Sequence, residues 1–416
     1  MQNKIKKMKF IFKIFFFSIL FFSCQQKESY TNKIKADVSF LSSDSLKGRA
    51  TGTKSEKIAA QYIAKRFDEI NLISKGKTNY FQDFNFKPIK NPHEEISFLE
   101  ELDDETLTAR NIIGYIDNNS DKTIVIGAHY DHLGYGSENS LYRGEEKKIH
   151  NGADDNASGV ALMLDLAGKL KYNNTQNNYL FIAFSGEEIG LLGSNYFVKN
   201  PSISIDSINY MINMDMVGRL KKDYSLAVYG LGTSPIFKQT IKSNNEIFKI
   251  IENESGMGPS DHTSFYLNDI PVLHFFTGQH SDYHKPSDDS NKINYKGMEL
   301  ISDYIFKIIT DLDDNGKLSF RVTKNESEDI PSFKVSLGVM PDYLFDGKGM
   351  RIDGINKGRP AEKSGILKGD IVVKIGNYNV TDLMSYMRAL SKFESGVSTS
   401  VLIKREGKII KKEITF

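Results

Sequence analysis

Five apolar runs through the middle of the chain constrain the fold most, because four of them lead into a cluster of histidine or carboxylate side chains. The runs are NIIGYI (Asn111–Ile116), TIVIGA (Thr123–Ala128), YLFIAFS (Tyr179–Ser185), INYMINM (Ile208–Met214) and IPVLHFF (Ile270–Phe276). Each reads as a strand, and the segments between them carry helical periodicity, as at Ala157–Leu170 and Gly297–Leu312. A further helix is expected at Ser55–Ile70, with Ala59, Ile63, Phe67 and Ile70 on one face. Thr53 and Glu56 stand at capping-box spacing at its start. This alternation predicts an α/β domain over residues 36–314, with a mixed central sheet flanked by helices.

The polar motifs fall at consistent places. HYDHLG (His129–Gly134) follows TIVIGA, GEE (Gly186–Glu188) follows YLFIAFS, Asp215 follows INYMINM, and SDYHKPSDD (Ser281–Asp289) lies in the loop after IPVLHFF. The fifth motif, GADDNASG (Gly152–Gly159), opens a helix. Ligands of open α/β sheets bind beyond the carboxyl ends of the strands, so these groups are expected along one rim.

Zinc takes imidazole nitrogen and carboxylate oxygen, and catalytic sites leave a position open. Two ions sharing a carboxylate need one bridging acid and about two further ligands each. Asp154 as bridge, His129 and Asp215 on one ion, and Glu188 and His284 on the other make up that count. Glu187 remains beside them as a carboxylate free to act as general base. Manganese or cobalt suits the same donors.

In content and order these motifs resemble the zinc aminopeptidase family that includes aminopeptidases S and Y. Glutamate carboxypeptidase II and the glutaminyl cyclases are its more distant relatives. The opening GRATGT…AAQYIA fits the same resemblance, which covers roughly residues 36–312. It implies a metallopeptidase that hydrolyses N-terminal residues from peptides. It makes Asp154 the bridge rather than Asp155, with a cis peptide at Asp154–Asp155. It also implies His129 as a ligand oriented by Asp131, Glu187 as base, and Glu188, Asp215 and His284 as ligands. SDHTSF recurs near the family's substrate pocket, which brings in Asp261 and His262 as supporting residues. Asp155 joins them as a neighbour of the bridge, and Arg219 as a group able to meet a substrate carboxylate. The insert Tyr135–Ile149 is expected on the pocket rim. Of the other histidines, His274 reads as a core residue, His93 and His280 as surface loop residues, and His132 and His150 as flanking the ligand motifs. The rival readings are a glutaminyl cyclase-like enzyme with one zinc, and a non-catalytic receptor-like relative.

Residues 315–330 are polar and charged and read as a linker without packing signal. The last part, 331–416, holds SLGV (Ser336–Val339) and GRPAEKSGILKGDIVVKIGNYNV (Gly358–Val380), a pattern resembling a bacterial PDZ domain. The resemblance implies a small β-rich fold that takes peptide C-termini, with Leu337, Gly338 and Val339 offering amides to the carboxylate. Pro341 in the receiving strand lacks an N–H donor.

At the other end, Lys4, Lys6, Lys7 and Lys9 precede a stretch, Phe10–Phe22, that is apolar apart from Lys13, too short to span a bilayer comfortably and arranged like an export signal. Cys24, the single cysteine of the chain, sits where such a signal is cut. Residues 1–24 resemble a bacterial lipoprotein signal, followed by a tether over 25–35. The chain is therefore expected to be exported, periplasmic or on the cell surface, and held to a membrane only by a lipid on Cys24. A formal net charge of +1 gives no field that would draw nucleic acid.

Overall fold

The computed structural model describes residues 32–87, 98–99, 106–136, 139–173, 176–323, 335–342, 344–345, 347–356 and 358–416. Cys24, the signal, His93 and most of the tether lie outside these residues. The end of the expected tether is helical, since residues 32–41 form a helix with Ile34 and Val38 buried. Among the described residues no helix is long and apolar enough to cross a membrane.

The large sheet contains β1 (Ile73–Ser74), β2 (Phe81–Phe86), β3 (Phe98–Leu99), β4 (Leu107–Ile116), β5 (Thr123–His129), β6 (Asn178–Phe184), β7 (Ile208–Met214), β8 (Ser225–Tyr229), β9 (Lys249–Glu252) and β10 (Val272–Phe276). Its order is β3-β2-β4-β6-β5-β7-β10-β8-β9, with β1 on β4. The centre is parallel: β5 pairs with β6 and β7, and β7 with β10. Strands β5, β6 and β7 are buried along their whole length. That is why they read as unbroken apolar runs: both faces are covered by helices.

Helix α1 (Lys54–Glu69) is capped by the Thr53 side chain, which accepts from the Glu56 amide. Helix α2 (Gly159–Lys171) packs against β5 and α6 (Tyr295–Leu312) on one face of the sheet. Gly159 is required by close approach, because a Cβ there would stand 2.4 Å from the Met214 carbonyl oxygen at the end of β7. Between these, α3 (Leu192–Lys199), α4 (Phe237–Ser243) and the short α5 (His262–Tyr266) complete the helical layers.

Residues 316–323, expected to belong to an unpacked linker, instead lie along the large domain. Leu318 is buried, its amide donates to Asn209, Arg321 N donates to Thr233 O, and Thr323 bonds the Tyr266 hydroxyl. Polar composition marked the segment as linker, but it finds partners in β7, in the loop after β8 and in α5.

The C-terminal domain is a second sheet of β11 (Val339–Pro341), β12 (Met350–Ile355), β13 (Ile371–Ile375), β14 (Tyr378–Asn379), β15 (Ser398–Arg405) and β16 (Lys408–Thr415). Helices α7 (Pro360–Lys363) and α8 (Leu383–Leu390) pack on it around a separate core that includes Leu337, Ile352, Val372 and Val401. Asp382 caps α8 in a capping box with Ser385.

Candidate metal centre

The ends of the parallel strands do converge. His129 closes β5, Glu187 and Glu188 follow β6, Asp215 follows β7, and His284 comes from the loop after β10. The His129 Nε2 atom lies 3.3 Å from Asp215 Oδ1, 3.4 Å from Asp155 Oδ1 and 3.9 Å from Glu187 Oε2. The His284 Nε2 atom lies 3.2 Å from both Asp155 Oδ2 and Glu188 Oε2. Two groups of ligand atoms therefore share Asp155: His129, Asp155 and Asp215 form one, and His132, Asp155 and Glu188, with His284 beside them, form the other.

The shared carboxylate is Asp155, which corrects the expectation of Asp154. The Asp154 carboxylate is turned away and already engaged. Its Oδ1 accepts from Gly218 N at 2.6 Å and from Ser158 Oγ, and its Oδ2 faces His280 Nε2 at 3.1 Å. The amides of both Asp154 and Asp155 donate to Asp288 Oδ2, which pins the turn. Gly152 enters this turn at φ 55°, where a Cβ would meet Asp155 O at 2.1 Å and the His132 ring at 2.5 Å. The cis peptide is at Asp155–Asn156, not at Asp154–Asp155. His280, read as a surface histidine, is correspondingly placed against Asp154.

Two histidine readings also change. His132 is fully buried with its Nδ1 2.6 Å from Glu188 Oε1. Buried together this closely, an imidazole nitrogen and a carboxylate oxygen must share either a proton or a cation. A shared cation resolves such a contact, and imidazole with carboxylate is the donor set zinc prefers. Arg219 does not face an open pocket, because Asp282 and the Lys292 carbonyl already take its guanidinium.

Charge in the cluster is strongly coupled. Burial opposes protonation of His284, but Glu188 and Asp155 outweigh it and push the imidazole up to about 11. Burial likewise opposes a charged His129, and Asp215 with Glu187 overcomes it. Burial pushes the Glu187 carboxyl well up, with Asp215 and Glu188 adding to it against His129. The site is thus an excess of carboxylate that wants positive charge, whether from protons or from metal.

Support comes from behind. Asp131 accepts from Thr51 Oγ1 at 2.8 Å and from Glu187 N at 3.2 Å, and its Oδ1 stands 3.7 Å from His129 Nδ1. Ser260 Oγ donates to Asp215 Oδ2 and receives from Asn213 Nδ2. Asp261 is fully buried and is pushed up to about 7 by that burial, while His262 stacks on the core residue His274 with ring centroids 4.4 Å apart. Asn139, in the insert after HYDHLG, donates to Glu188 O and accepts from His284 Nδ1.

Sequence reasoning passed over two buried charges. Arg49 is wholly buried and donates to the carbonyls of Tyr130, Leu41, Asn151 and Gly152. Burial lowers its pKa to about 10, yet it remains a cation behind the acidic cluster. Glu56 accepts from Gly52 N at 2.6 Å and from Ser185 Oγ, and burial raises it to about 8. The signals were present, in GRATGT and in the capping-box glutamate, but nothing local indicated that either residue turns inward.

In the C-terminal domain, the expected carboxylate loop is partly committed: Gly338 N already donates to Ser336 Oγ, and Leu337 is fully buried. Pro341 does sit in β11, at a register shift against β12.

Residues 111–309 match the model of "Peptidase family M28", and residues 316–415 match that of "PDZ domain". A probable leucine aminopeptidase of Trichophyton verrucosum is 32% identical over 173 residues, covering 39% of this chain and 44% of that protein. The match thus spans less than half of the relative's length. Among solved structures, a Zn-dependent exopeptidase from Parabacteroides distasonis superposes with a TM-score of 0.54 at 19% identity, covering 67% of this chain and 97% of that one. Porphyromonas gingivalis glutaminyl cyclase gives 0.52 at 17% identity, covering 68% and 98%. These likenesses establish the fold.

Proposed function

We propose, from the match of residues 111–309 to peptidase family M28, that the chain is a zinc-dependent aminopeptidase with a dinuclear site. The observation that carries this reading is the pair of buried ligand groups meeting at Asp155. His129 and Asp215 would hold one ion, Glu188 and His284 the other, with His132 against the second. Bound zinc would supply Lewis acidity to the scissile carbonyl and acidify the attacking water.

The chain's own residues do the rest. The Glu187 carboxylate lies 3.9 Å from His129 Nε2 and belongs to neither group. Its carboxylate takes a proton from the water as the oxygen adds to the carbonyl carbon, then returns it to the departing nitrogen as the C–N bond breaks. Asp131, fixed by Thr51, biases the orientation of His129 from behind. The surplus of carboxylates favours a substrate that brings a free ammonium group, which selects N-termini.

Metal content and product release test the reading together. Two zinc ions per chain are expected, with amino-acid release from free-amine peptides and none from their N-acetylated twins. Asp155→Asn is expected to lose both ions, whereas Asp154→Asn, whose side chain can still accept from Gly218, retains them. One ion with ammonia released from N-terminal glutamine would instead favour a cyclase, and no ion would favour a receptor-like role. The apolar stretch before Cys24 supports export as a lipoprotein. Palmitate labelling that disappears in Cys24→Ser is the expected result, and labelling that persists would refute the anchor.

A further inference from the structure

The candidate site opens into a cavity of about 1190 Å³ whose far wall is the C-terminal domain. On the near side stand Asp155, Glu187, Glu188, Asp215 and His284. On the far side helix α8 turns Leu383, Met384, Met387 and Arg388 toward the same space. Their spacing puts these four on one face, with Leu383 and Met387 also packed against the domain core that buries Tyr386, Ala389 and Leu390.

The two domains are held across the cavity mouth by specific contacts. Lys221, in the loop after β7, lies 3.7 Å from Asp342 and 3.6 Å from Asp353. Leu344 is buried against Gly278, where a Cβ would come within 2.8 Å of its side chain.

The cations lining this space stand at one end only, where Asp342 and Asp382 line it too. Carboxylates crowd the near end. Among the described residues the only lysine or arginine side chains lining the cavity are Arg351 and Arg388, both on the far wall. Arg351 is committed, since Asp342 takes its guanidinium and it lies over the Phe345 ring at 4.7 Å. Arg388 is half-buried, and its guanidinium makes no hydrogen bond or ion pair to a described residue, although its charge is among those that lower the Asp382 pKa. Asp382, an acid on the same helix, is occupied in capping it. Between the two ends the walls are mixed: Ile250, Met257 and Phe276 on one side and Met384 and Met387 on the other are apolar, while Glu252, Asn253 and Ser255 add polar groups.

We propose that this cavity takes the whole of a short peptide substrate, with the ammonium end at the carboxylate cluster and the free C-terminal carboxylate paired with Arg388. The C-terminal domain then acts as part of the substrate site of the same chain, selecting short peptides with free C-termini. This rests on the aminopeptidase reading and adds to it a second point of recognition. The guanidinium is suited to it by its fork of donors, which matches a carboxylate.

The test compares kcat/KM of the full chain, in added zinc, for Leu-Ala-Ala, its C-terminal amide and leucine p-nitroanilide. The wild type is expected to favour the free acid over the amide about tenfold, the worth of one charge-assisted hydrogen bond, chiefly through KM. In Arg388→Gln that ratio is expected to fall to about one, with Arg388→Lys between. A ratio near one in the wild type, or a preference that survives in Arg388→Gln, would overturn the assignment of Arg388. If the wild type cleaves none of the three, anilide included, the aminopeptidase reading itself fails and the subsite falls with it.

Discussion

Glu187→Gln is expected to lower kcat for peptide hydrolysis by about 10²- to 10⁴-fold, the usual worth of a positioned general base, while metal content and melting temperature stay close to wild type. The amide is isosteric with the carboxylate but cannot take a proton. Glu187 contributes no atom to either group of ligand atoms, so removing its charge leaves both intact. Its backbone amide still donates to Asp131. Because proton transfer belongs to the transition state, the loss should fall on kcat rather than on KM. Steady-state kinetics beside zinc analysis decides it: full turnover in the mutant would remove Glu187 from the mechanism.

Arg49→Met should cost the large domain more than about 4 kcal/mol. The guanidinium is buried and serves four carbonyl oxygens, two in the GADD turn, one in HYDH and one at Leu41. Each acceptor left buried without a donor costs about 1–3 kcal/mol, against a total stability of about 5–15 kcal/mol. Methionine fills much of the volume and so isolates the polar loss from a cavity. A melting temperature lower by more than about 10 °C follows, together with weakened metal retention, since Tyr130 and Gly152 lie beside His129 and Asp155. Arg49→Lys should recover only part, because an ammonium cannot reproduce the planar fan of donors. A thermal scan showing Arg49→Met within about 2 °C of wild type would show that the loops are held by something else.

The central strands were legible because their signal is local. A strand buried on both faces is a continuous apolar run, and β4 to β7 and β10 lie within a residue or a few of the runs that announced them. The strands toward the edges were less legible: β2 interleaves polar residues, FQDFNF, and β8 and β9, SLAVY and KIIE, offer only short apolar runs. Motif order along the rim likewise followed from strand direction, and with it the placement of His129, Glu187, Glu188, Asp215 and His284.

What only the tertiary structure decided is which way individual charges turn. Asp154 and Asp155 are adjacent and identical, and spacing cannot tell them apart. The choice is made by Gly218 N and Ser158 Oγ, which take the Asp154 carboxylate, the first of them from 64 residues away. Arg49 and Glu56 turn inward because carbonyls and hydroxyls from distant loops require partners there, and Arg388 gains its meaning from a cavity shared between two domains. Periodicity carries burial, which sums over many residues. It does not carry the destination of a single polar side chain, which depends on the one donor or acceptor that the folded chain brings beside it.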